Sequence, residues 1–415
     1  DIVADITGAD GSATVKTGTT TFGQTNVLTQ KDLTVNEGAQ IDITAENLQI
    51  ANTIKSDGAI ALRGYDANTP SVLNTSIESL TDGDVTDRRT RIVGNVEIAN
   101  GQYIAQNINI ESGAGRALTS NVTGIKGAVR NNADLYIYGY EDQTDTTFNQ
   151  AVTGSGTTII TRKVNVDSSI ANNIIIDKFD GTSPAVTHYA DITVGDNGTL
   201  GASGKTITIT GDHDGNTYNT LTANADKIAA DTVASDGRLV LTGGEAGFDI
   251  TKGTGSGGIV DITAGADGTV KTSHNITDQT VNVQTGTLHL TTTETDGSNL
   301  SGSTVNVANG AIIDTIDDVI NDYSSYIYLA DGAVVKADID LTTIDKYGAL
   351  ASTNSVTLGD IKVKTYGDFQ SREFQLVAGD VTVNADNISF ISSGKSISVV
   401  GSGNADGIVL VSEST

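Results

Sequence analysis

The sequence predicts an all-β parallel solenoid. Three observations carry that expectation: a short repeat recurring at the spacing of one coil, strand-like alternation from end to end, and too little bulky material for a compact core. The repeat is two apolar residues separated by one, a polar turn ending in Gly, and then apolar residues again. Its copies are LTVNEGAQIDI around Gly38, VEIANGQYI around Gly101, VNVQTGTLHL around Gly286, VNVANGAII around Gly310 and IYLADGAVV around Gly332. Looser copies, ITVGDNGTL around Gly198 and ITAGADGTV around Gly268, carry one extra residue before the Gly. The last four Gly, at 268, 286, 310 and 332, are 18, 24 and 22 residues apart. A unit this short cannot bury its own apolar side, so it must stack on its neighbours.

Strand signals fill the space between these turns. TITIT at 206–210, LVLT at 239–242, VNVQ at 281–284, VTVNA at 381–385 and SISVV at 396–400 mostly alternate aliphatic with small polar residues, the period of a half-buried strand. Asp-Gly occurs ten times, beginning at Asp10, Asp57, Asp82, Asp180, Asp214, Asp236, Asp267, Asp296, Asp331 and Asp406. It is a turn signal, because Gly reaches positive φ without strain and Asp tolerates turn geometry. Helical periodicity is confined to 312–327, where Ile312, Ile316, Val319 and Tyr323 fall near one face, and to NADKIAADTVAS at 224–235. Each reads as a short helix between coils.

The segment 60–95, with Pro70 and the cluster Arg88, Arg89 and Arg91, interrupts the repeat and reads as an inserted loop or hairpin. Residues 111–150, including LYIYGYEDQ at 135–143, read the same way. The predicted organisation is therefore an irregular β region over 1–190, with insertions near 60–95 and 111–150, and a more regular solenoid over 191–415. No Pro-rich or Ser-rich linker divides them, so one continuous domain fits as well. Tandem β-sandwich domains are the alternative for the irregular first half.

At 37% hydrophobic and 5% aromatic, with no Trp, the chain suits a thin stacked core. The charge balance is 24 basic to 51 acidic residues, a net −27, which argues against nucleic acid as a partner because phosphate neutralisation needs clustered Lys and Arg. Of the acids, 41 are Asp and ten Glu, as Asp-rich turns between strands require. The same acidity makes loosely held Ca2+ the one cofactor to consider. Cys is absent, which removes disulfides and Cys-ligated metals. Met is also absent and the first residue is Asp1, so the chain reads as processed, its secretory leader removed. No run approaches the apolar length of a membrane-spanning helix, and the aromatic girdles of a porin are missing.

No residue is assigned a catalytic, cofactor-binding or metal-ligating role. His188, His213, His274 and His289 share no short spacing, and no GxSxG elbow occurs. GDHDGNTYN at 211–219 offers Asp212, Asp214 and Asn216 as oxygen ligands, yet Gly215 stands fourth where an EF-hand loop needs its Gly sixth. A plain turn is the better reading. GGEAGFDIT at 243–251 lacks the tandem recurrence of a calcium nonapeptide, and GTGSGG at 253–258 lacks the Lys of a phosphate loop. Asp317 and Asp318 with Arg88, Arg89 and Arg91 are the groups a polysaccharide-cleaving site would have to recruit; they read more simply as solvated loops.

The stretch VNVQTGTLHLTTTETDGSNLSGSTVNVANGAIIDT at 281–315 resembles the passenger regions of bacterial autotransporters and related adhesins. The resemblance rests on repeat texture over about half the chain and implies a right-handed parallel β-helix displayed outside the cell. The functional expectation is a secreted cell-surface structural protein, not an enzyme, assembling into a fibre, coat or S-layer-like array. The homopolymer would form through terminal strands, DIVADIT at 1–7 and GIVLV at 407–411, by strand addition. A monomeric adhesin binding a host or cell-surface glycan or protein through 60–95 and 111–150 is the second expectation. A polysaccharide-active β-helix enzyme is the third.

Overall fold

The computed structural model describes Ile2 and residues 4–81, 88–139, 146–180, 187–211, 213–214, 217–255, 257–291, 300, 303–308 and 310–316. Beyond these it describes the strands at 326–329, 334–336, 339–340, 349–352, 356–358, 361–365, 375–378, 381–383, 388–392 and 398–401. The chain forms two compact units, Asp1–Ile207 and Thr208–Thr415. Both are built from short strands that pair in parallel with the strand one coil away, so the fold is an all-β parallel β-solenoid. Sandwich domains pair their strands antiparallel. Among the described residues antiparallel pairing is confined to two small hairpins, Phe179–Asp180 with Thr187–His188 and His213–Asp214 with Thr217–Tyr218.

In the first unit one side of the coil carries an inward column of Ile41, Ile60, Thr90, Ile108, Val129, Val152, Ile170 and Leu200, each in register with the next. All eight are at most 2% exposed, which is how a chain so poor in aromatics closes a core: each rung covers its neighbours. Thr90 is the polar rung. It is accommodated because its hydroxyl donates to Gln106 Oε1 at 3.1 Å while Gln106 Nε2 donates to the Ser56 carbonyl at 2.7 Å, leaving no buried polar group unpaired there. A second side stacks Val96, Leu118, Leu135, Thr158 and Ile174. A third is marked by Ile54, Ile77, Ile104 and Ile125.

The register also shows where extra residues go. Successive coils on the first side advance by 21, 19, 30, 18, 21, 23, 18 and 30 residues. The long steps are Ala59 to Arg89 and Ser169 to Thr199. The segment 60–95 thus holds coil strands at Ser71–Leu73, Ile77–Ser79 and Arg89–Ile92, with excess length in the connections. The segment 111–150 carries ordinary rungs at Ala117–Asn121, Val129–Asn131 and Asp134–Tyr138. Its alternation was obscured by polar and Gly residues between short strands.

In the second unit the column Leu221, Leu239, Val260, Val281, Val305, Ile327, Leu350, Leu376 and Val399 advances by 18, 21, 21, 24, 22, 23, 26 and 23 residues. Both expected helices fail where they are described. Ile312–Ile316 is a strand paired with Thr287–Thr291, and Tyr326–Leu329 is another; residues 317–325 lie outside the described residues. Within 224–235 only a 3-10 turn forms, at Ala225–Lys227, followed by strand Thr232–Ser235. Stacking on a preformed neighbour satisfies every strand's backbone at once, and that overrides weak local propensity.

The Gly turns divide into two kinds. Gly38, Gly101 and Gly310 occupy the third position of turns closed by amide-to-carbonyl bonds of 3.0 Å, Ala39 to Asn36, Gln102 to Ala99 and Ala311 to Ala308. Their φ values are 73°, 78° and 73°, so Gly is required by conformation. In the looser copy Gly268 ends the turn, and a Cβ there would meet the Ala264 carbonyl at 1.8 Å. Close approach, not φ, fixes that residue.

Candidate functional site

The strand Asp134–Tyr138 is the origin of one groove of the first unit. In DLYIY, Leu135 and Ile137 turn inward at 0% and 1% exposure while Tyr136 is 38% exposed, the period-two consequence of a pleated backbone. Its neighbours set Thr119, Tyr136 and Ile159 in one outward column, with Glu97 on the next coil beside Thr119. A parallel column holds Asn95, Ala117, Asp134 and Thr157.

One wall of the groove is the connection 64–70. It is held by the Asn95 side-chain amide donating to the Ala67 carbonyl at 3.0 Å, by the Tyr65 amide donating to Ser71 Oγ at 2.8 Å, and by an Asx turn from the Asn68 amide to Asp66 Oδ1 at 2.7 Å. Against this connection packs the corner at Gly115 and Arg116, where a Cβ on Gly115 would meet Ala67 Cβ at 2.7 Å and Arg116 donates to Glu111 Oε2 at 3.0 Å. The result is a cleft of about 480 Å³ lined by Asn68, Asn95, Arg116, Asp134, Tyr136 and Tyr138 among others. The Arg162 guanidinium lies 5.7 Å from the centre of the Tyr138 ring.

Three titratable groups here are displaced from their ordinary values. Desolvation raises the carboxyl groups of Glu97 and Asp134. The Tyr136 phenol is raised by desolvation first and by the neighbouring Asp134 charge second. Chemically, the cleft offers aromatic rings, amide donors and acceptors, a guanidinium and the Asp134 carboxyl group.

Among the described residues, the candidates read from the sequence do not gather into one site. His188 and His213 fall in the two separate hairpins. His274 contacts Ser273, and His289 stands in register with Lys271 and Asp314. Asp214 belongs to a hairpin strand; Asp212, Gly215 and Asn216 lie outside the described residues, as do Asp317, Asp318 and GIVLV at 407–411. Among the described residues no three His, Asp or Glu side chains gather as a metal would need. In GGEAGFDIT, Gly244–Ala246 and the start of Asp249–Lys252 are paired rungs of the coil, the Glu245 amide donates to Asp226 Oδ1 at 2.8 Å and Phe248 is buried between them. The arginine cluster is split: Arg88 pairs with Asp57 at 2.9 Å, Arg91 with Glu111, and Arg89 has no ion pair among the described residues. No helix of the described residues is long and apolar enough to cross a membrane.

The groove was not foreseen as such. Its signal was LYIY, in which alternate residues are aliphatic and aromatic, so that a strand there must display both Tyr. Comparison with protein-family models, curated proteins and solved structures finds no match. What is established of the autotransporter resemblance is therefore the β-solenoid fold alone.

Proposed function

We propose that the chain is a secreted, surface-displayed β-solenoid of adhesin type, binding a glycan in the Tyr136–Tyr138 groove without chemical turnover. The observation that carries this reading is the conjunction of the exposed Tyr136 ring and the half-buried Tyr138 ring with Asn68, Asn95, Arg116 and Asp134 in one cleft. Sugars present apolar C–H faces that stack on aromatic rings and hydroxyls that bridge carboxylate, amide and guanidinium groups. The test is binding of the full chain to an immobilised glycan panel, with Tyr136→Ala and Tyr138→Ala as variants. Loss of at least about tenfold in affinity, the scale of one lost ring contact and its hydrogen bonds, is expected. Unchanged binding by both variants would remove the groove from the function. Release of reducing sugar during the same incubation would instead favour the polysaccharide-active reading.

A self-assembling fibre or coat is the second reading, and one feature favours it. Strand Ile6–Val15 pairs with Leu28–Val35 on one side only and carries Ile6 at 38% exposure, an edge that strand addition could extend. The same strand is irregular between Gly8 and Ser12, and a bulge blunts an edge. Negative-stain microscopy with and without millimolar calcium separates the two: filaments support assembly, dispersed particles support the adhesin.

A further inference from the structure

We infer that a second cleft in the first unit, on a different side of the coil from the Tyr136 groove, binds the acid groups of a sulfated or uronic polysaccharide through Arg89 and Arg130. The cleft is about 380 Å³ and crosses strands Arg89–Ile92, Ile108–Ile110, Val129–Asn131 and Val152–Thr153, with Arg88, Arg89, Asn107, Asn109 and Arg130 among its lining.

The local charge is the first argument. In a chain with 41 Asp and a net −27, residues 88–133 hold five Arg and one Lys against two Glu and no Asp. The second is how those arginines are used. Arg63 pairs with Asp42, Arg88 with Asp57, and Arg91 and Arg116 share Glu111. Arg89 and Arg130 are exposed and have no ion pair among the described residues. They are the two guanidinium groups left to a ligand, and a guanidinium binds sulfate or carboxylate with paired hydrogen bonds.

Spacing supplies the third argument. Asn107 lies level with Arg89 because Ile108 is in register with Thr90, and Asn109 is in register with both Arg91 and Arg130. Arg89 and Arg130 are therefore two strands and two residues apart, ~12 Å between α-carbons for ordinary strand spacing and rise. That suits acid groups on alternate sugars of an extended polymer. On the strand between them stands Asn109, which also lines the cleft.

The experiment is binding of the full chain to dextran sulfate, with neutral dextran and phosphatidylserine vesicles as comparison probes, at low and at physiological salt. Wild type should bind dextran sulfate, weaken as salt rises, and ignore neutral dextran. Arg89→Ala/Arg130→Ala should lose at least about tenfold in affinity, as the loss of two charge-assisted contacts implies, with an unchanged melting temperature. Lys252→Ala/Lys271→Ala removes the same charge from exposed sites of the second unit and should change affinity less than about twofold if the effect is local and not global. Tyr136→Ala should leave dextran sulfate binding intact, which keeps this site separable from the first. Equal losses in the two charge variants, binding to vesicles as tight as to dextran sulfate, or no binding at low salt would each overturn the inference.

Discussion

Two buried or half-buried carboxyl groups in this protein should respond to pH with opposite sign. Burial, the largest influence on Asp57, opposes its ionisation. The Thr81 hydroxyl and amide, Arg88 and the Leu80 amide together outweigh burial and hold the carboxyl below its ordinary 3.8. A carboxyl lowered on folding stabilises fully above its unfolded value and loses that contribution as pH falls through its folded one. Asp57→Asn should therefore cost about 3 kcal/mol at neutral pH, the scale of a broken buried pair, with the cost shrinking below pH 3.8 in urea titrations across pH. Glu97 is raised above 4.5 by burial, so its charge opposes folding above its folded value and not below its unfolded one. Glu97→Gln should raise the melting temperature at pH 7, and the gain should vanish as pH approaches 4.5. A lower melting temperature at pH 7 would mean that the Glu97 carboxylate has a stabilising partner.

At the scale of the element, the corner turns and stacked rungs carry separate costs. Gly101 has open space around it but φ of 78°, so Gly101→Ala should cost about 1–2 kcal/mol from the left-handed backbone, and Gly101→Asn less. Gly268→Ala should cost more than Gly101→Ala, because backbone at Ala264 blocks the new atom. Equilibrium urea unfolding of the three variants orders them, and equal costs would mean the corner relaxes freely. On the rungs, Ile108→Ala should cost about 2–5 kcal/mol, since the residue is sandwiched in register between Thr90 and Val129. The Gly-rich segment 253–257 is held differently: the Asp236 carboxylate accepts from the amides of Gly253, Gly255 and Gly257 at 3.2, 2.6 and 3.1 Å. Asp236→Ala should release that corner, read as faster amide exchange at Gly255 while the column at Leu239 stays protected.

For the whole molecule, a solenoid's stability is a sum of nearest-neighbour stacking terms, not one cooperative core. Calorimetry of the full chain should give a van't Hoff enthalpy below the calorimetric one, because long stacked arrays and separate compact units depart from two-state unfolding. Agreement of the two enthalpies would instead show coupling across Ile207 and Thr208, where the units divide. The acid excess adds a diffuse self-repulsion, so moderate salt should raise the melting temperature of the same chain that it detaches from dextran sulfate.

What the sequence determined by itself was the fold. Copies of strand, Gly turn and strand at coil spacing leave stacking as the one way to bury their apolar side, and Val281, Val305 and Leu288 alternate in the sequence as they do in the structure. It also placed the turns, because the φ of Gly101 and Gly310 is a local demand. What only the tertiary structure decided was the register, and with it every surface site. Whether Tyr136 stands near Glu97, or Arg89 near Arg130, depends on how many residues each coil spends between rungs, 18 in one and 30 in another. That number is set by which residues fit inward on the preceding coil, a property of packing between segments and not of any one of them. The same dependence on the neighbouring coil turned Ile312–Ile316 from a helical face into a rung beside Thr287–Thr291.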